Sequence, residues 1–242
     1  MCPTVPDPVW AKGLCQIAPQ LAALGGAPGL SPDPARNLRW ILDQAEEYAL
    51  PVDLHVDETL DLSAHLLEWL ADEGARRRFP FPVTAAHVVS LASQPLADQR
   101  RVARKVSDMG IHIVSLPQTN CYLQGRKKFG QGQRGLTALA AFQEAGVDVA
   151  FASDNMEDPF HPWGNGDLLQ VASLALYAGH MGYGDSEKVL RAIAEIPANL
   201  PAAPATVCAR AILRKWSCWK HPLPRRPWPG CWPSGQSSAM AN

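Results

Sequence analysis

Apolar and polar positions follow two different periods between residues 24 and 196. Short apolar or β-branched runs, such as 52–55 and 111–116, alternate with longer segments in which apolar residues recur every three or four positions. The short runs predict strands, and the longer segments predict amphipathic helices. Strands that alternate with helices in this way form parallel βα units. The pattern therefore predicts an α/β protein with a parallel sheet.

At least four βα units are predicted along the chain. Helices are expected over 34–48, 63–73, 95–109 and 136–145, then after Gly166 and over 185–196. Strands are expected over 52–55, in a run that ends at His87, and over 111–116 and 147–152. Gly110 and Gly146 come directly before two of these strands, where a glycine typically ends the preceding helix.

Composition is that of a soluble globular protein. The chain of 242 residues is 47% hydrophobic and 19% charged, with a net charge of −1. No apolar run approaches the roughly 18 residues that a membrane span needs, so we expect no membrane partner. The first 16 residues lack a basic leader and the six cysteines show no C-x-x-C spacing. These features favour a cytoplasmic location with reduced thiols.

The two ends of the chain differ from the middle. We expect an irregular segment over 1–23, a barrel domain over 24–196, and a basic tail over 197–242. The tail holds eight prolines, four of the eight tryptophans and half of the cysteines, and no acidic residue follows Glu195. Such a segment is typical of disorder or of translation out of frame. A basic, Trp-rich arm for nucleic acid or a membrane surface is the alternative, but we expect no nucleic-acid partner.

Polar residues follow three of the predicted strands. His55 and Glu58 come at the end of one, His87 ends the next, and Asp154 follows the last. Because carboxyl ends of parallel strands meet at one mouth of a barrel, these side chains are expected to converge. Imidazole nitrogens and carboxylate oxygens are the ligands and proton carriers of metal-dependent hydrolases.

Each of these residues also has an ordinary structural interpretation. His55 is also compatible with a core histidine whose hydrogen bonds are satisfied, and His87 with a buried donor to a carbonyl. Asp154 precedes a turn-forming sequence and would suit a helix cap or a turn. Their joint placement on three strand ends is what favours the functional interpretation.

Longer motifs make the middle of the chain similar to a known family. They are His-x-x-Glu at His55, Ala-His at His87, the run from Pro117 to Arg126 that ends Leu-Gln-Gly-Arg, and Asp154 followed by Asp-Pro-Phe-His-Pro. This order resembles the cytosine deaminase branch of the amidohydrolase superfamily, over about residues 25–196. The resemblance implies a partial (β/α)8 TIM-type barrel, namely its later half, about strands 4–8, with the early strands missing.

The resemblance also implies site roles. His55 and Asp154 would bind one divalent metal, Zn²⁺ or Fe²⁺. Glu58 would move protons between water and the departing amine, and His87 would hydrogen-bond the attacking oxygen or the substrate. Gln124, Asn155 and Phe160 would contact a small heterocyclic substrate. The implied reaction is hydrolytic removal of ammonia or an amine from a pyrimidine or a related nitrogen heterocycle.

Two differences from the family pattern bear on these implications. The family supplies two more ligands from a His-x-His pair, and the seven histidines here include no pair two residues apart. Because catalytic zinc usually has three protein ligands, weak metal binding or none is expected. Ser153, Asn155 and Phe160 also replace residues common in cytosine deaminases, which leaves a triazine, another pyrimidine or an isopropylamino-type substrate open.

Three hypotheses follow for this polypeptide. The first is an active amidohydrolase of the deaminase type. The second is a truncated or frameshifted remnant that catalyses nothing and aggregates through open sheet edges. The third is a chain whose barrel is completed by a partner chain that supplies the His-x-His pair, and association into a homo-oligomer stays open.

Overall fold

A five-stranded parallel sheet organises the structure. The computed structural model describes residues 8–126 and 133–200, with side chains from residue 13 onward. The sheet order follows the chain order, β1-β2-β3-β4-β5, and every pair is parallel. The strands are β1 (Leu24–Gly26), β2 (Val52–Val56), β3 (Val83–His87), β4 (His112–Ser115) and β5 (Val149–Phe151). The predicted fold class, α/β with part of a TIM-type barrel, is confirmed.

Helices connect the strands in the predicted order. The helices are α1 (Pro8–Ile17), α2 (Pro34–Tyr48), α3 (Leu66–Arg77), α4 (Val89–Ala92), α5 (Leu96–Met109), α6 (Pro117–Leu123), α7 (Leu139–Glu144), α8 (Leu168–Ala178) and α9 (Ser186–Ala198). Asp33 caps α2 by accepting from Arg36 N, and Gly110 ends α5 in the left-handed conformation. Among the helices of the described ranges, none is long and apolar enough to cross a membrane.

The N-terminal segment departs from its predicted irregularity. Helix α1 and a short 3-10 turn over Ala18–Gln20 lie inside residues 1–23. Pro8 stands at the first position of α1, where a proline costs no helical hydrogen bond. Leu14 and Ala18 are buried in the core. The predicted basic tail lies outside the described residues from 201 onward.

Two hydrophobic clusters flank the sheet. The larger cluster packs β1 to β4 against helices α2, α3 and α5, and its fully buried members include Leu42, Leu54 and Ile113. The smaller cluster consists of Phe151 on β5 and six residues of α8 and α9. The residues of α8 and α9 are Val171, Ala172, Ala175, Val189, Ala192 and Ile193. β2 and β3 therefore belong to the larger cluster, whereas β5 contributes Phe151 to the smaller one.

Candidate active site

The chain turns sharply where three strands end. Asp57, His87 and Asp154 all have left-handed backbones, with φ of 51°, 70° and 64°. A side chain makes this conformation unfavourable by about 1–2 kcal/mol, and such strain tends to gather at functional sites. These turns direct the polar residues after β2, β3 and β5 towards one mouth of the sheet.

His87 lies at the centre of the polar cluster. Its Nε2 atom is 2.7 Å from Nδ1 of His55, 3.5 Å from Oε2 of Glu58 and 3.8 Å from Oδ2 of Asp154. The two imidazole rings are tilted by 43° with centroids 4.7 Å apart. The structure therefore brings together all four residues that the sequence placed at strand ends.

Burial keeps His87 neutral. Its side chain is fully enclosed, and this desolvation, together with the neighbouring His55, lowers its pKa to about 3. Asn120 lies 2.9 Å from its other ring nitrogen, Nδ1, and Thr137 donates to its carbonyl oxygen over 2.8 Å. The ring is consequently a neutral imidazole with one nitrogen facing the cluster and the other facing Asn120.

The two carboxyl groups of the cluster are held in a partly dry setting. Burial, followed by repulsion from Asp154, raises the pKa of Glu58 to about 7. About a third of the Glu58 side chain, 34%, still reaches solvent. Burial likewise raises the pKa of Asp154 above its ordinary value. A carboxyl group that titrates near neutral pH can both accept and return a proton, as general acid–base catalysis requires.

Three residues of the cluster could hold a metal ion. His55, Glu58 and His87 each offer one ligand atom, and these atoms lie within 4.8 Å of one another. Two imidazole nitrogens and a carboxylate oxygen suit Zn²⁺ or Fe²⁺, so the donor set fits the expected metal. This set differs from the predicted pair of His55 and Asp154, because it includes Glu58 and His87 and does not include Asp154.

The sequence of the chain matches a known protein family. A model of the amidohydrolase family matches residues 11–203. The chain belongs to the amidohydrolase family. The predicted resemblance to deaminases of this family is therefore confirmed at the level of the family.

The amidohydrolase relatives include two deaminases above 30% identity. A pterin deaminase of Rhizobium rhizogenes is 35% identical over 182 residues, which are 75% of this chain and 41% of that protein. The structure of a 5-methylcytosine deaminase from Klebsiella pneumoniae with 5-fluorocytosine is 32% identical, with a TM-score of 0.68. That match covers 73% of this chain and 44% of the other. The chain thus spans less than half the length of these two relatives.

A third amidohydrolase supports the fold alone. The N-isopropylammelide isopropylaminohydrolase of Burkholderia multivorans is 20% identical, with a TM-score of 0.63. The match covers 82% of this chain and 53% of that enzyme. Its similarity agrees with the barrel topology of the sheet.

The three predicted substrate contacts lie in different surroundings. Gln124 donates from Nε2 to the carbonyl oxygen of Glu58 over 3.2 Å, so it contacts the cluster directly. Asn155 donates to Oδ2 of Asp158 over 2.6 Å. Phe160 is 64% exposed, and its backbone N–H also donates to Asp158. The Asp158 carboxylate therefore organises the loop that holds two of the three.

Two residues of this amidohydrolase site were not singled out from the sequence. Asp57 is buried, and its carboxylate accepts from the backbone N–H groups of Leu66 and Leu67 at the start of α3. Asn120 is buried against His87. Asp57 lies between His55 and Glu58, and Asn120 lies within the run from Pro117 to Arg126, so both stood inside the motifs without a stated role.

Proposed function

We propose that this amidohydrolase chain carries the proton-transfer part of a hydrolytic deaminase. The observation that supports the proposal most directly is the convergence of His55, Glu58 and His87, whose ligand atoms lie within 4.8 Å of one another. Burial raises the pKa of Glu58 to about 7 in this setting. In the proposed reaction, water adds to the ring carbon that bears the amino group. A C–O bond forms, the C–N bond breaks, and ammonia leaves.

Glu58 is assigned the proton transfers of this reaction. As a carboxylate it accepts a proton from the attacking water, and as a carboxylic acid it returns that proton to the departing nitrogen. A group whose pKa lies near the working pH performs both steps efficiently, which typically contributes about 10²–10⁴-fold to the rate. The solvent-exposed third of its side chain gives Glu58 access to incoming water.

A divalent metal would be held by residues of the same cluster. His55 and Asp154 are the proposed ligands, and Glu58 lies close enough to His55 to take part. When bound, such an ion lowers the pKa of water to about 7 and supplies a nucleophile at neutral pH. Burial raises the pKa of Asp154 above its ordinary value, and as a carboxylate this residue would balance the positive charge of the ion.

The proposed substrate is a pterin or a pyrimidine with an exocyclic amino group. The two relatives above 30% identity are a pterin deaminase and a 5-methylcytosine deaminase. Both substrates carry the amino group on a pyrimidine ring, so a single hydrolytic chemistry serves both. Gln124, Asn155 and Phe160 are proposed to contact this ring, and a triazine substrate has support only from more distant relatives.

The proposal is tested on the purified full chain. Bound Zn and Fe per chain are measured first. Ammonia release is then followed with pterin and 5-methylcytosine, and isopropylamine release with N-isopropylammelide. We expect metal that is lost in His55→Ala and Asp154→Ala, and ammonia release from pterin or 5-methylcytosine that falls at least about 100-fold in Glu58→Gln. His180→Ala, at an exposed position, is the matched control.

Each result bears on one of the hypotheses from the sequence. A metal content and an ammonia release that both equal those of the blank would overturn the proposal and favour the inactive remnant. Isopropylamine release from N-isopropylammelide, without ammonia release from the other two compounds, would replace the pyrimidine substrate with a triazine. The cytoplasmic location, the small-molecule partner and a homo-oligomeric state stay predictions from the sequence.

A further inference from the structure

Asn120 makes a buried contact with the central imidazole. It lies in the first turn of α6, and both its side chain and that of His87 are fully buried. The amide nitrogen Nδ2 of Asn120 is 2.9 Å from Nδ1 of His87. Within the described residues, the other polar atom of the Asn120 side chain, Oδ1, has no hydrogen-bond partner.

The chemistry of this contact specifies where the ring proton lies. An amide nitrogen carries two hydrogens and donates, so Nδ1 of His87 must accept. A neutral imidazole has one N–H, and that hydrogen must then be on Nε2. We propose that Asn120 is a positioning residue that holds His87 as its Nε2–H tautomer.

The surroundings of Nε2 match a donor. Its three polar neighbours are Nδ1 of His55, Oε2 of Glu58 and Oδ2 of Asp154, at 2.7, 3.5 and 3.8 Å. All three atoms can accept a hydrogen bond. His87 therefore presents an N–H to the site and has no lone pair there, so it donates to an oxygen of water or substrate. This tautomer excludes His87 from the three residues whose spacing alone would allow them to bind a metal.

The backbone around His87 leaves the tautomer as the remaining variable. The left-handed φ of 70° and the hydrogen bond from Thr137 to the His87 carbonyl fix the direction of the side chain. The hydroxyl oxygens of Thr137 and Ser115 lie 2.8 Å apart, within hydrogen-bond distance, and this contact ties Thr137 to β4. With the ring held in place, the group that faces Nδ1 determines which nitrogen is protonated.

The unpartnered Oδ1 atom argues against a purely structural role. A buried polar atom without a hydrogen bond is unfavourable by about 1–3 kcal/mol. A leucine of similar size would avoid this loss while filling the same space. An amide that sacrifices stability at the central imidazole is what a positioning residue is expected to show.

The tautomer is tested directly by nitrogen spectroscopy. The full chain is labelled with ¹⁵N-histidine, His87→Gln identifies the His87 signals, and long-range ¹H–¹⁵N correlations distinguish protonated from unprotonated ring nitrogens. We expect Nε2 of His87 to be protonated in the native chain. In Asn120→Asp, whose carboxylate only accepts, we expect the proton to move to Nδ1, and in Asn120→Leu we expect both tautomers.

Cation binding provides a second readout. Asn120→Asp frees the Nε2 lone pair towards His55 and Glu58, so Zn²⁺ alone should bind about 10-fold or more tightly than in the native chain. A residue that merely supports the fold would weaken Zn²⁺ binding when replaced. Asn37→Asp, at another buried asparagine, controls for a carboxylate in the core and should change neither readout.

Clear outcomes would overturn the inference. Protonated Nδ1 in the native chain would do so, as would an unchanged His87 pattern in both Asn120 variants. If Asn120→Asp does not fold, Asn120→Leu carries the test through its mixed tautomers. The tautomer assignment does not depend on the proposed deamination, so ammonia assays that fail would leave the spectroscopic result unaffected. The catalytic use of this tautomer does rest on the proposed deamination.

Discussion

Oε2 of Glu58 lies 3.5 Å from Nε2 of His87, yet burial moves the pKa values of the two side chains in opposite directions. Burial disfavours charge, so it raises the pKa of an acid and lowers that of a base. Glu58 consequently titrates near pH 7, whereas His87 stays neutral down to about pH 3. The two neighbours therefore divide the work of the site, because one can exchange protons near neutral pH and the other cannot.

This opposition predicts a pH-dependent stability difference for Glu58→Gln. Between pH 4.5 and about 7, Glu58 is protonated in the folded chain and ionised in the unfolded chain, so its contribution to stability falls as pH rises. Glu58→Gln has no group that titrates here, so the variant does not lose this stability as pH rises. The free energy of unfolding of the variant, relative to the native chain, should rise by about 1–2 kcal/mol over this range, allowing for the exposed third of the side chain. Urea unfolding at stepped pH measures it.

A surface glutamate serves as the matched control. Arg100 lowers the pKa of Glu144, so Glu144→Gln should show no such rise. For His87→Gln, the free energy of unfolding relative to the native chain should change in the opposite direction and rise as pH falls. The unfolded histidine takes up a proton below pH 6.5 and the folded one does not, so His87 lowers the stability of the native chain as pH falls towards 3. A flat difference for Glu58→Gln would contradict the raised pKa.

At the scale of single residues, the sequence indicated the histidines and carboxylic acids of the site and missed the amide of Asn120. His55, Glu58, His87 and Asp154 could be found because parallel strands bring their carboxyl ends together. Asn120 could not, because its contact depends on how α6 packs beside β3, and no local period encodes that packing. The roles of the four polar residues stay predictions until metal and activity are measured.

At the scale of elements, Asp57 determines where α3 begins. The residue before that helix, His65, makes no side-chain cap, and the carboxylate of Asp57 instead accepts from Leu66 N and Leu67 N at 3.0 and 2.9 Å. The Asp57 carbonyl accepts from the N–H groups of Val89 and Ser90 after β3. One buried residue thus joins the ends of two strands to the start of a helix.

Replacement of Asp57 by alanine should therefore be costly. Asp57→Ala leaves two N–H groups at the start of α3 without an acceptor, one partly buried and one buried. We expect a loss of about 1–3 kcal/mol in the free energy of unfolding. Asp61→Ala, at an exposed aspartate in the same loop, should stay within about 0.5 kcal/mol. Denaturant unfolding of both variants checks the difference, and equal losses would mean that Asp57 does not cap α3.

The same capping explains which element boundaries could be predicted. Helix α2 begins and ends as expected because Asp33 and Pro34 are local signals. Helix α3 was expected from residue 63 but begins at Leu66, since its cap lies nine residues away along the chain. Helix α1 was missed because the prolines and glycine around it suggest irregular structure, whereas Pro8 occupies a tolerated first position.

At the scale of the whole molecule, the site lies across two packing units of unequal size. β2 and β3, which precede Glu58 and carry His55 and His87, belong to the larger cluster, whereas Phe151 on β5, just before Asp154, belongs to the smaller one. A surface cavity of about 110 Å³ lies between β5 and α9. Fewer buried contacts indicate a lower local stability for the smaller unit.

Hydrogen exchange should reveal this difference. Amides of α8 and α9 are expected to exchange through partial openings at lower free energy than those of α2 and α5. Val171→Ala, a fully buried site in the smaller cluster, should increase exchange in α8 and α9 alone. Val106→Ala, equally buried in the larger cluster, should reduce protection across the whole sheet. Uniform loss of protection in Val171→Ala would show that the chain unfolds as one unit.

Placing Asp154 after the strand of the smaller cluster makes ligand binding and local order thermodynamically linked. An opening of α8 and α9 that carries β5 with it would withdraw Asp154 while His55, Glu58 and His87 remain together. Any cation or substrate that engages Asp154 must bind the closed form more tightly, and by mass action it then suppresses the opening. Occupancy of the cluster would thus be detectable far from it, as slower exchange in two helices that contribute none of the four polar residues.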